Sequence, residues 1–219
     1  MDTKSRLLEQ AARVFAEKGY DGASVRDITD AAAVNISAIR YYFGGKKELY
    51  NAILESFAFF VRRETADVFD RAESLIGDGP SDPEKAKDCL CDLFRELCRL
   101  LFSDKSSDPS IKVFFGEYLR MSESFRILDE NLIRPVKDLT ARLLFVATGR
   151  KLTKLECYLH AFPLLTQLFV FKTRQNEVLS VTGWSRYGKE ERAAITDVCL
   201  AHLRAVLNDL AGKAQKEMV

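Results

Sequence analysis

Between Ala31 and Lys47 the chain carries three cations, Arg40, Lys46 and Lys47, and no carboxylate. The whole sequence balances 33 basic against 32 acidic residues, a net charge of +1, so any affinity for a polyanion must come from local clusters such as this one. Inside it, Val34-Asn35-Ile36-Ser37-Ala38-Ile39-Arg40-Tyr41-Tyr42-Phe43-Gly44-Gly45-Lys46-Lys47 has the composition of a short contact helix. Asn35 is a good N-cap, and Val34 and Ile39 stand at the two positions of a hydrophobic staple, so a helix is predicted to begin at Ile36. Gly44 and Gly45 stop it. Ile39 and Phe43 then face inward, while Ile36, Ser37, Arg40 and Tyr41 face outward. Arg40 has the planar fork that reads guanine. Lys46 and Lys47 open the next helix, where cations oppose the macrodipole unless an anion arrives.

Other chemistries find less support. Five cysteines (Cys89, Cys91, Cys98, Cys157, Cys199) make an odd count without CxxC spacing, and there are only two histidines. Cys157 and His160 lie three apart but have no third or fourth ligand at a recognisable spacing, so neither a metal nor a disulfide framework is expected. No Ser-His-Asp order, paired-carboxylate motif or phosphate-cradling loop occurs, and Gly44-Gly45-Lys46-Lys47 lacks the Walker spacing. An enzyme is not expected, nor a cofactor.

The elements that must position the contact helix are helical throughout. Lys4 to Lys18 follows the 3.6-residue period and ends at Gly19. Ser24 with Asp27 forms a capping-box-like pair that starts a second short helix ending near Ala32. A turn of two or three residues separates it from Asn35, which makes a helix-turn-helix. A connector helix opens at Lys46 and is predicted to reach Arg71 or beyond. The Gly- and Pro-rich segment Gly77 to Pro83 reads as a surface loop. Helices follow over Glu84 to Phe102 and Ile111 to Met121, with a loop at Asp104 to Ser110 between them. Beyond Ser124 a helical pattern runs to Val146 with Pro135 in its middle, whose missing donor should kink or restart the helix, and Gly149 closes it. Lys154 to Arg174, interrupted by Pro163, is apolar around most of its circumference and cannot be a solvent-facing monomer helix. The last helix, Glu190 to Leu210, carries one apolar stripe. The fold class is all-α, about nine helices, with 47% hydrophobic residues to build a core. The N-terminus has no apolar targeting segment, and no run approaches the roughly 18 apolar residues of a membrane span, so a cytoplasmic protein is expected.

Asp21 to Tyr50, extended back to Lys4, resembles the DNA-binding domain of TetR-type bacterial transcriptional regulators over about a quarter of the chain: the cap, the hydrophobic positions, the Tyr-Phe pair and the lysine heading the fourth helix all fall at the family's spacing. Val34-Asn35-Ile36 and Val181-Thr182-Gly183-Trp184 resemble the CecR-like subgroup. The resemblance implies a three-helix DNA-binding domain at 1–50 and a larger helical ligand-binding and dimerisation domain at 51–219. It implies that Ser24 and Arg26 meet phosphate and a base edge, that Asn35, Tyr42 and Lys46 hold the backbone, and that Ile36, Ser37, Ala38, Arg40 and Tyr41 face the major groove. Two positions depart from the family: Ala33 stands where glycine is usual, and Arg40 where an aromatic is more common.

The expectation is therefore a ligand-responsive homodimeric repressor on palindromic operator DNA, pairing through its two C-terminal helices and released by a small, mostly apolar effector. Phe57, Phe94, Cys98, Phe114, Glu117, Tyr118 and Met121 are the expected effector contacts, apolar walls with a few polar anchors. The alternative is a helical ligand- or partner-binding protein of the same fold that does not bind an operator.

Overall fold

The computed structural model describes residues 2–77, 82–102, 108–149 and 151–216, with side chains up to 211. Most of the loops expected at 77–83 and 104–110 lie outside the described residues. Twelve α-helices are found among them: α1 (Thr3–Gly22), α2 (Val25–Ala31), α3 (Ser37–Phe43), α4 (Lys46–Glu64), α5 (Ala66–Ile76), α6 (Pro83–Phe102), α7 (Pro109–Arg120), α8 (Phe125–Leu128), α9 (Arg134–Ala147), α10 (Lys154–Thr173), α11 (Gln175–Thr182) and α12 (Lys189–Lys216). Among the described residues there is no strand, and no helix is long and apolar enough to cross a membrane.

The sequence pattern counts fewer helices because several breaks carry no local signal. The connector does not run to Arg71. It ends at Glu64, and the buried Thr65 (φ −101°, ψ 3°) turns the chain so that its carbonyl accepts the N–H groups of Val68 and Phe69 and starts α5. No glycine or proline lies between Lys47 and Ile76 to announce this. Of the two outcomes expected at Pro135 the helix restarts rather than kinks: the chain widens into a π-helical turn over Asp129–Ile133, and the proline falls within the first turn of α9, where a missing N–H costs little. Pro163 does not interrupt α10, which runs through it unbroken. Gly19 does break α1 (φ 70°, ψ 173°), although helical residues resume as far as Gly22.

Packing divides the chain into two units, Met1–Arg62 with Ser107–Ile133, and Arg63–Ser106 with Arg134–Val219. In the first, α7 lies along α1, and Leu7, Phe15, Ile28, Ile39, Leu49 and Ile53 are buried around it. In the second, α9 packs against α6 and α10, and α12 covers α6. Phe94, Leu90, Leu93, Leu143 and Leu203 are fully enclosed there. Two faces of this unit stay apolar and uncovered. On α10, Leu155, Leu159, Phe162 and Val170 are exposed opposite the buried Cys157, Ala161, Leu164 and Leu168. On α12, exposed Ala194, Val198, Ala201 and Ala205 follow the same helical spacing.

Candidate nucleic-acid interface

Two short helices set the geometry, and each is fixed by its caps. Ser24 and Asp27 form a reciprocal box: the Asp27 N–H donates to Ser24 Oγ at 3.0 Å, and the Ser24 N–H donates to Asp27 Oδ2 at 2.8 Å. Lys18 Nζ adds a 2.7 Å contact to Asp27 Oδ1. That bond, followed by those from Ser24, holds the Asp27 carboxyl far below the usual carboxylate range.

The turn between α2 and α3 explains Ala33. The Ala33 N–H donates to the Asp30 carbonyl (3.1 Å) and the Val34 N–H to the Thr29 carbonyl (3.0 Å), the paired bonds of a Schellman motif. That motif requires a left-handed residue where Ala33 sits, and its φ is 49°. A Cβ in this region costs on the order of 1 kcal/mol. Ala33→Gly is therefore expected to raise stability by about 0.5–1 kcal/mol, and Ala33→Val to lower it by more than that, both read by urea melts. Equal midpoints for all three proteins would overturn this account.

Asn35 acts as the expected cap. Its Oδ1 accepts the Ser37 N–H and the Ser37 hydroxyl, each at 3.0 Å, with Ile36 already helical (φ −55°, ψ −32°). At the other end Gly44 takes φ 97° and returns its N–H to the Arg40 carbonyl. Ile39 is the anchor, 2% exposed, and Phe43 is half-buried with the Lys4 ammonium 5.8 Å from its ring. Tyr41, 82% exposed, Ile36, 56% exposed, Ser37 and Arg40 form the outer face, with Ala38 at its half-buried edge. Tyr42 is less exposed and packs edge-on against Tyr41 at 4.9 Å.

Charge on this surface is unevenly committed. Arg26 and Arg40 are exposed, and neither has an ion-pair partner among the described residues. By contrast, Lys47 has the anion its position calls for: Glu123 Oε2 lies 2.7 Å from its Nζ. That bond raises the Lys47 ammonium above its ordinary range and lowers the Glu123 carboxyl. Lys46 rests over the Tyr20 ring at 4.5 Å, a cation–π contact that holds its ammonium beside α1. Tyr20 and Glu123 are contacts the sequence reading missed, because no short-range spacing links them to Lys46 and Lys47.

The first turns of α4 are clasped by the last turn of α7 and the segment that follows it. Glu117 is fully buried, and both its oxygens are used: Oε2 accepts Tyr50 Oη and Arg120 Nη2, each at 3.1 Å, while Oε1 accepts the Ser122 N–H at 2.9 Å and the Ser122 hydroxyl. Burial, reinforced by this carboxylate, pushes the Tyr50 phenol well above its usual value. Ser124 Oγ bonds Asn51 at 2.7 Å. Arg120 also meets Asp21 at 3.1 Å and lies 4.9 Å from the Tyr20 ring.

Of the seven expected effector contacts, Phe57, Phe114, Glu117, Tyr118 and Met121 fall in the first unit. Phe57 and Phe114 pack at 5.0 Å, Tyr118 lies 6.0 Å from Phe114, and Met121 is exposed in a left-handed cap. Phe94 and Cys98 are buried in the second unit. The Glu117 carboxylate serves as an internal acceptor. Among the described residues no group of three or more His, Cys, Asp or Glu is placed to hold a metal.

Comparison with known proteins agrees with this geometry. Residues 7–53 match the model of the bacterial regulatory proteins, tetR family, and residues 86–210, more than half of the chain, match that of the HTH-type transcriptional dual regulator CecR, C-terminal domain. The transcriptional dual regulator CecR of Shigella flexneri is 26% identical over 211 residues, covering 96% of this chain and 94% of its own. The transcriptional repressor NicS of Pseudomonas putida is 24% identical over 189 residues, 81% of this chain and 79% of its own. The crystal structure of AibR in complex with isovaleryl coenzyme A and operator DNA shares the fold, with a TM-score of 0.65 at 16% identity over 92% of this chain and 97% of that one.

Proposed function

Since the chain belongs to the TetR family of bacterial regulatory proteins, with a CecR-type C-terminal domain, it is a DNA-binding transcriptional regulator, and we propose that it works as a homodimeric repressor released from a palindromic operator by a small, mostly apolar effector. The observation that carries this reading is the outer face of α3, where Ile36, Ser37, Arg40 and Tyr41 stand exposed on a helix capped at both ends. Residues 1–50 bind DNA and residues 51–219 bind the effector and the second copy.

Ile36, Ser37, Ala38, Arg40 and Tyr41 enter the major groove, and Arg40, with no competing carboxylate, reads a guanine edge. Arg26, Tyr42, Lys46 and the Asn35 amide N–H₂ hold phosphates. The Ser24 hydroxyl, engaged with Asp27, acts first by fixing the start of α2. Two copies of α3 must lie about 34–36 Å apart to reach successive major grooves, so an effector that favours a different spacing releases the DNA. The work is done in the cytoplasm, where the chromosome is.

The test is an anisotropy titration with operator fragments selected from genomic DNA. Arg40→Ala is expected to weaken the preferred sequence by about 10- to 100-fold and to relax preference at one base position. Lys46→Ala should weaken every sequence alike and reduce the salt slope by about one. Absence of any sequence-specific binding at low salt would leave the chain as a ligand- or partner-binding protein of this fold.

A further inference from the structure

Within the second packing unit, a cavity of about 340 Å³ opens between the end of α5, the C-terminal half of α9 and the first two turns of α10. This lies within the size range of small-molecule sites, and none of the seven effector contacts expected from the sequence lines it. Its walls are apolar: Ile76, Ala141, Phe145 and Val146.

Three polar side chains reach the rim, and they differ in what they have left to give. Arg142 is held by both carboxylate oxygens of Glu73 at 2.7 and 2.8 Å, so its charge is compensated. The Tyr158 hydroxyl is committed to Asp138 at 2.6 Å. Lys154, exposed at the start of α10, has no ion-pair partner among the described residues. An apolar cleft with one uncompensated ammonium at its mouth suits a ligand with an apolar body and a single negative charge. A dianion would bring a second charge against apolar walls with nothing to pair it.

We propose that this cavity binds a medium-chain aliphatic carboxylate, with its chain against Ile76, Ala141, Phe145 and Val146 and its carboxylate on Lys154 Nζ. As the identity of the effector, this rests on the reading of the chain as an effector-released regulator. As a binding site, it stands on the cavity alone.

Calorimetric titration of the full-length protein with butyrate, hexanoate and octanoate tests it, with 1-octanol as the uncharged probe. Affinity is expected to rise about fourfold per added methylene until the chain fills the cavity. Lys154→Gln should weaken octanoate about tenfold and leave octanol unchanged, because only the charge-assisted bond is lost. Phe145→Ala, which lengthens the cleft at a half-buried side chain, should move the optimum to a longer chain. Affinity independent of chain length, an equal loss of octanoate and octanol in Lys154→Gln, or no octanoate binding at millimolar concentration overturns the site. Operator titrations on the same samples separate the two readings. Octanoate that binds through Lys154 yet leaves operator affinity unchanged keeps the site and removes it as the effector's. Octanoate that releases the operator from wild type and Lys154→Gln at the same concentration acts elsewhere and likewise removes this cavity as the effector's.

Discussion

Glu117→Leu is expected to destabilise the chain by about 2–4 kcal/mol and to lower its melting temperature by roughly 5–15 °C. The magnitude follows from what the leucine strands. Tyr50 is 3% exposed and its hydroxyl loses its acceptor, and the N–H and hydroxyl of Ser122 lose theirs. The buried Tyr50 donor left unmade costs about 1–3 kcal/mol, and the half-buried Ser122 donors add less because water can reach them. Arg120 adds less, because its guanidinium is partly open to water and keeps Asp21. Tyr50→Phe removes one donor and leaves Glu117 with Ser122 and Arg120, so it should cost only about 1 kcal/mol. Because both changes break the same bond, the double variant should cost less than the sum of the two. Urea melts decide: a Glu117→Leu midpoint within error of wild type would mean that the carboxylate is not the acceptor the geometry makes it.

This network also shows where reading the sequence reaches its limit. The caps of α2 and α3 were legible because their partners are two to four residues away: Ser24 with Asp27, Asn35 with Ser37, Gly44 with Arg40. The outward Arg40 and Tyr41 and the buried Ile39 follow from the same short-range periodicity. Ala33 was legible as a departure from glycine, but only the Schellman bonds give it a reason. Glu117, by contrast, meets Tyr50 across 67 positions and Glu123 meets Lys47 across 76, and no periodicity encodes such a pair. The break at Thr65 was invisible for a different cause. Nothing in its neighbourhood disfavours a helix, so the turn is set by tertiary packing around a buried threonine rather than by local preference. Glu117 therefore reads from the sequence as a polar anchor in an aromatic helix, and only its partners reveal that its capacity is already used.

The second large effect concerns the uncovered face of α10, where Leu159→Glu is expected to turn a dimer into a monomer and abolish operator binding. Leu159 is 62% exposed, flanked at helical spacing by Leu155 and Phe162. In a free monomer a glutamate there is close to neutral, within about 0.5 kcal/mol, because it meets water. If two copies pair through α10 and α12 as a four-helix bundle, a two-fold interface presents the substitution twice, and each carboxylate is buried without a partner. A penalty of about 2–4 kcal/mol then weakens dimerisation by roughly 30- to 1000-fold. Sedimentation velocity across nanomolar to micromolar concentrations reads this directly, and Leu159→Ala, which removes area but adds no charge, should fall between the two. Operator affinity should drop with the dimer, since one recognition helix alone cannot exploit the spacing of two half-sites. A glutamate variant that sediments like wild type at every concentration would show that this face is not the seam, and the apolar stripe of α10 would then have to be covered by something other than its own copy.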